Sequence, residues 1–90
     1  MCASSENRRL VRLPADVDLH ARPAGLLVRA AAGYDASITL HAGGKQADAK
    51  SILQVLSLGA TRGSEIEVET CGSQASAALD AVTGLLATLA

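Results

Sequence analysis

Ninety residues with a formal net charge of −1 suffice for one small domain with one core, and leave no room for a deep substrate cavity. Charges of both signs are dispersed along the chain, so the basic footprint of a nucleic-acid-binding domain is missing. The apolar content comes from 18 alanines and 13 leucines with a single aromatic residue, Tyr34, which excludes an aromatic stacking platform for single strands.

The first nine residues, MCASSENRR, contain no apolar run of the kind a secretory signal needs. Near the C-terminus the apolar stretch is broken by Asp80, Thr83 and Gly84 and is too short to cross a bilayer. The expectation is a cytoplasmic chain without membrane insertion, folded as a single domain over residues 1–90 with residues 1–6 disordered. Cys2 and Cys71 allow one disulfide arithmetically, but a lone pair with one member at the start of the chain is weak evidence for a secreted scaffold, and Cys71 reads as an exposed thiol. No C-x-x-C or H-x₃-H spacing occurs, so neither a metal nor another cofactor is expected.

In chain order, residues 7–13 read as a short strand with Val11 and Leu13 on one face and Arg12 on the other. A loop over residues 14–18 leads to a helix starting after His20. Pro23 falls in its first turn, Leu27, Val28, Ala31 and Tyr34 recur at helical spacing, and Gly33 is its stop. SITLH (37–41) alternates Ile38 and Leu40 inward with Ser37, Thr39 and His41 outward, and Gly43-Gly44 turns it into the return strand KQAD (45–48). Ser51 is positioned to cap a short helix over 52–57. In SEIEVETC (64–71), Glu65, Glu67 and Glu69 alternate with Ile66 and Val68, predicting a strand with one wet face. Ser73 is the expected cap of a last helix whose stripe includes Ala75, Ala78, Leu79, Val82, Leu85, Leu86 and Leu89. The order β-α-β-β-α-β-α with one-sided strands predicts an α+β open-faced β-sandwich: a four-stranded antiparallel sheet with three helices on one face.

The stretch DLHARPAGLL (18–27) raises the functional question. A histidine before a helix and an arginine in its first turn can be mere punctuation and surface charge. Yet Arg22 opposes the helix dipole there, and that makes sense where an anion is to sit among the free amides. A neutral imidazole nitrogen is a competent nucleophile near physiological pH. His20 at that helix end can therefore accept a phosphoryl group, with Arg22 beside it and Pro23 fixing the backbone. His41, on the wet strand face, reads as bland, and so does the row of Glu65, Glu67 and Glu69.

The residues DLHARPA (18–24) and ADAKSILQVLSLGA (47–60) resemble the two motifs of the HPr family, the histidine-containing phosphocarriers of the bacterial phosphoenolpyruvate:sugar phosphotransferase system. The similarity runs from about residue 6 to residue 90. It implies that His20 accepts the phosphoryl group through Nδ1, with Arg22 and Pro23 completing the site. It implies a carrier rather than an enzyme with turnover of its own, passing phosphate from enzyme I to a sugar-specific enzyme IIA. Partners would dock on Ala21, Gly25, Arg29, Ile52, Leu53 and Leu56. Ser51 matches the serine that an HPr kinase/phosphorylase modifies in some bacteria. The chain is expected to be monomeric. An alternative within the family is a nitrogen-branch or regulatory paralogue acting mainly by protein binding. A ferredoxin-like ligand-binding domain fits the element order but accounts for neither LHARP nor Ser51.

Two positions depart from the family pattern. Asp18 stands where the family has glycine. Its tolerance of turn conformations preserves the loop, but its charge would repel an incoming phosphate. Leu27 and Leu53 stand where phenylalanine is frequent.

Overall fold

The computed structural model describes residues 7–16 and 18–89; the expected disorder of residues 1–6 lies outside them. The elements follow the predicted order: β1 (Arg8–Arg12), α1 (Ala21–Ala32), β2 (Ser37–Ala42), β3 (Lys45–Asp48), α2 (Ile52–Ser57), β4 (Glu65–Cys71) and α3 (Ala75–Thr88). The four strands form one antiparallel sheet in the order β1-β4-β2-β3. Gly43 and Gly44 both have positive φ, 56° and 79°, the backbone that a two-residue hairpin turn between right-twisted strands requires.

Alternation along the strands decides which face is covered. Ile38, Leu40, Ile66 and Val68 are buried, and they meet Leu27, Val55, Val82 and Leu86 from the three helices in one core. α3 lies along β1, β4 and β2, α1 packs on α3 and α2, and α2 packs on β3. With so much alanine, the helices approach closely and large side chains are few. Thr70 and Thr83 are buried polar residues, and each hydroxyl donates to a backbone carbonyl, of Ala75 and Leu79 respectively. Arg9, on the covered side of β1, reaches over the core edge to Asp80 at 3.0 Å and Thr83 at 3.0 Å on α3.

Ser73 is not the cap of α3. The N-cap is Gln74, while the Ser73 hydroxyl donates to Asp35 Oδ2 at 2.9 Å. Gln74 Oε1 in turn accepts the Asp35 amide. Both side chains are spent on joining the β4–α3 connection to the segment before β2, which shifts the helix start by one residue. The exposed thiol expected of Cys71 is corrected too: among the described residues there is no free cysteine.

The open face of the sheet is charge-paired rather than merely solvated. Arg8 bridges Glu67 and Glu69, each at 3.1 Å, and Arg12 meets Glu65 at 3.0 Å. His41 Nε2 lies 3.0 Å from Glu69 Oε1, and an ionised carboxylate only accepts, so the imidazole N–H donates. That hydrogen bond, with Arg8 beside it, holds the Glu69 carboxyl below the ordinary glutamate range. A depressed carboxyl pKa stabilises the fold above the unfolded-state value, and the contribution is lost as pH falls through the folded value. The urea midpoint of the wild type should therefore exceed that of Glu69→Gln at neutral pH, with the gap closing in acid below the ordinary glutamate range. A gap independent of pH would mean that the pairing does not contribute.

Candidate functional site

His20 is the N-cap of α1, in extended backbone at φ −95° and ψ −164°, and its side chain makes no capping hydrogen bond. It is exposed. Its carbonyl accepts the Ala24 amide at 2.9 Å, so helical bonding begins there. Ala21 and Arg22 are the first two helical residues, whose N–H groups have no intrahelical acceptor. Pro23, third in the helix and buried, has no N–H to leave unmet. Two free amides and an exposed imidazole thus share one helix end, where the dipole is positive and no acidic residue occupies the first turn.

The segment leading to His20 is fastened rather than loose. The Leu19 amide donates to the Ala60 carbonyl at 3.0 Å, and the Leu19 side chain is in the core. Residue 60 lies in the loop leaving α2, so the His20 end of α1 is tied directly to the second motif.

Arg22 and Arg29 are exposed on α1, and neither forms an ion pair among the described residues. Arg29 lies in the last turn, where a cation suits the dipole. Ala21 is exposed and Gly25 half-buried. On α2, Val55 is buried while Ile52, Leu53 and Leu56 are 39%, 75% and 38% exposed. A six-residue helix can bury one narrow stripe, and these three leucine-type side chains fall outside it. Leu26, missed by the sequence reading, adds to them at 45% exposed. The signal was present: with Pro23, Ala24, Leu27 and Ala31 buried, Leu26 falls on the other face, one turn from both Arg22 and Arg29.

Ser51 caps α2, its hydroxyl accepting the Gln54 amide at 3.3 Å, and it is half-buried. Gln54 Oε1 accepts the Asp48 amide at 2.9 Å, and Lys50 Nζ donates to the Tyr34 carbonyl at 2.9 Å, joining the α2 start to the end of α1. Asp18 is not in left-handed backbone, since among the described residues no non-glycine residue has positive φ. Its tolerance of such conformations is therefore not what preserves the loop. Its carboxylate instead accepts the Arg62 amide at 2.7 Å.

An open groove of about 720 Å³ runs between the α2 start and the β4–α3 connection, lined by Asp35, Asp48, Lys50 and Ser73 among others, and no part of the His20 segment borders it. Among the described residues no group of three metal-ligating side chains comes together, and no helix is long and apolar enough to cross a membrane.

An open-faced sheet under three helices, with a histidine exposed at a helix start, defines an α+β protein that presents an imidazole at its surface. The sequence matches the family model for the PTS HPr component phosphorylation site over residues 8–88. The chain belongs to the HPr family of phosphocarriers of the phosphotransferase system. It is similar to the crystal structure of the phosphocarrier protein HPr from Bacillus anthracis, at 37% identity and a TM-score of 0.83, covering 88% of this chain and 94% of that one. It is similar also to a histidine-containing phosphocarrier protein from Mycoplasma, at 32% identity and 0.81, over 87% and 89% of the two chains. A third relative is Crh, the Bacillus subtilis catabolite repression protein seen as a swapped, intertwined dimer, at 29% identity and 0.72, over 82% and 87%.

Proposed function

We propose that this chain takes a phosphoryl group from phospho-enzyme I onto His20 and delivers it to an enzyme IIA of a sugar phosphotransferase system. The observation that carries this reading is the exposed, uncapped imidazole of His20 at a helix end with two unengaged amides and Arg22. The nitrogen lone pair of His20, by family resemblance that of Nδ1, attacks phosphorus. A new N–P bond forms as the donor's N–P bond breaks, and the donor nitrogen keeps the bonding pair. The amides of Ala21 and Arg22 and the Arg22 guanidinium spread the phosphoryl charge. Because the site stays open to solvent, the group remains available to the next acceptor. The chain is then a covalent carrier within a relay, with no turnover of its own.

Docking follows from the same surface. Leu26, Ile52, Leu53 and Leu56 supply apolar area, and Arg22 and Arg29 supply the unpaired cations for an acidic partner. Ser51 opens the helix bearing three of those apolar residues, so a phosphoryl group there would set about two negative charges against partners of that sign. The reading is tested by incubating the chain with phosphoenolpyruvate and enzyme I and following intact mass and acid lability. An acid-labile phosphoryl adduct on His20 supports it, and no adduct sinks it. In the same assay Leu53→Asp should raise the KM for enzyme I phosphorylation by about tenfold or more. Its melting temperature should stay put, because Leu53 is 75% exposed.

A further inference from the structure

Between β1 and α1 the chain is laced onto the loop between α2 and β4. The Leu13 amide donates to the Ser64 carbonyl at 2.9 Å, the Gly63 amide to the Pro14 carbonyl at 3.2 Å, and the Leu19 amide to the Ala60 carbonyl at 3.0 Å. Those ties are all backbone to backbone, and any sequence could make them. The remaining one is not. Asp18 Oδ1 accepts the Arg62 amide at 2.7 Å, with Arg62 Nε 3.8 Å away.

The acceptor's position is what gives this bond a function. Asp18 is two residues before His20, and the His20 amide donates to the Asp18 carbonyl at 2.9 Å. Fixing Asp18 therefore fixes the peptide that leads into the His20 backbone. The partner loop is itself rigid: Ser64 N–H closes a turn onto the Thr61 carbonyl at 3.0 Å, with Gly63 at φ 74°. A positive φ at the third residue marks a type II turn with Arg62 in second place. The carboxylate is also not free to repel phosphate at full strength, since an amide dipole and a guanidinium already face it.

We infer that Asp18 is a positioning residue of the phosphoryl site, acting through its bond to the Arg62 amide to hold the backbone that presents His20. The inference rests on the carrier reading above. A glycine at this position, as in the family pattern, offers no side chain for that bond. In this chain the aspartate replaces a flexible residue by a fastened one, and the charge is incidental to the role.

The test separates the hydrogen bond from the charge on both sides of the contact. Asp18→Ala removes the acceptor and Asp18→Asn keeps a carbonyl oxygen there without the charge. Arg62→Ala keeps the amide and loses only the guanidinium. Arg62→Pro deletes the amide donor at a turn position that favours proline. Each chain is phosphorylated by enzyme I with phosphoenolpyruvate, its melting temperature recorded, and the His20 ring followed in proton–nitrogen correlation spectra across pH.

Asp18→Ala and Arg62→Pro should each transfer about tenfold more slowly than wild type, as expected when a reacting group is misplaced, and their His20 ring resonances should shift in the same direction. Asp18→Asn and Arg62→Ala should stay within about twofold, and the Ala/Pro double variant should be no slower than either single. Should Arg62→Pro fail to fold, Asp18→Ala against Asp18→Asn decides. Wild-type rates and unchanged His20 ring resonances in Asp18→Ala overturn the inference alone. So does an Asp18→Asn chain as slow as Asp18→Ala, since charge would then be responsible. A wild type that takes no phosphoryl group overturns the carrier reading, and this inference with it.

Discussion

A His20→Ala chain should accept no acid-labile phosphoryl group from phosphoenolpyruvate and enzyme I while melting at nearly the wild-type temperature. Such separation of activity from stability is rare at a helix cap, where loss of a side-chain bond costs about 1 kcal/mol. Here there is no such bond to lose, because the His20 side chain makes none and is exposed. The backbone bond that starts the helix, from the Ala24 amide to the His20 carbonyl, survives the substitution. Nucleophilic phosphoryl transfer has no second route, because Arg22 is cationic and the nearby amides only donate. Retention of an acid-labile adduct by His20→Ala would move the acceptor elsewhere, with His41 the other imidazole available. His41 is a poor candidate, as its Nε2 is engaged by Glu69 on the far face of the sheet.

The fold was legible because each local signal agreed with its neighbours. One-sided strands such as Glu65–Cys71 and the Gly43-Gly44 turn leave few ways to bury Ile38, Leu40, Ile66 and Val68 at once. Element bounds shifted by a residue or so, as at Ser73, where a serine fit to cap a helix was taken by Asp35 across 38 positions of sequence. That competition is tertiary and leaves no local trace. The His20 segment was legible for a different reason: a cation in the first turn of a helix is locally unfavourable, and such conflicts concentrate at functional sites. Asp18 was visible as a departure, but not its meaning. Its partner is the amide of Arg62, 44 residues away, and a backbone donor has no signature in the sequence. The open face was likewise read as solvated when it is paired, because the register that sets Arg8 against Glu69 and Arg12 against Glu65 exists only once β1 joins β4.

Leu27→Ala should be the most damaging single truncation in α1, lowering stability by about 2–5 kcal/mol. The helix buries four residues, Pro23, Ala24, Leu27 and Ala31, of which Leu27 is the only large and flexible side chain. It is fully buried. Its neighbours on the stripe are already small, so they cannot extend into the space it leaves, and the cavity cost stays near the upper part of the range. Against a total of about 5–15 kcal/mol for a domain of this kind, that is a large share. A loss of about 4 kcal/mol corresponds to a fall of roughly 16–32 °C in melting temperature. Leu27→Met, which conserves volume, should cost less than about 1.5 kcal/mol. Thermal unfolding of the three chains checks the ranking, and phosphorylation below the transition extends it to the site. Leu27 lies two turns into the helix that His20 caps, so loosening it should slow transfer even where the chain remains folded. Folded Leu27→Ala with wild-type transfer would show that Leu19 and the ties to the α2–β4 loop hold His20 without help from the helix behind it.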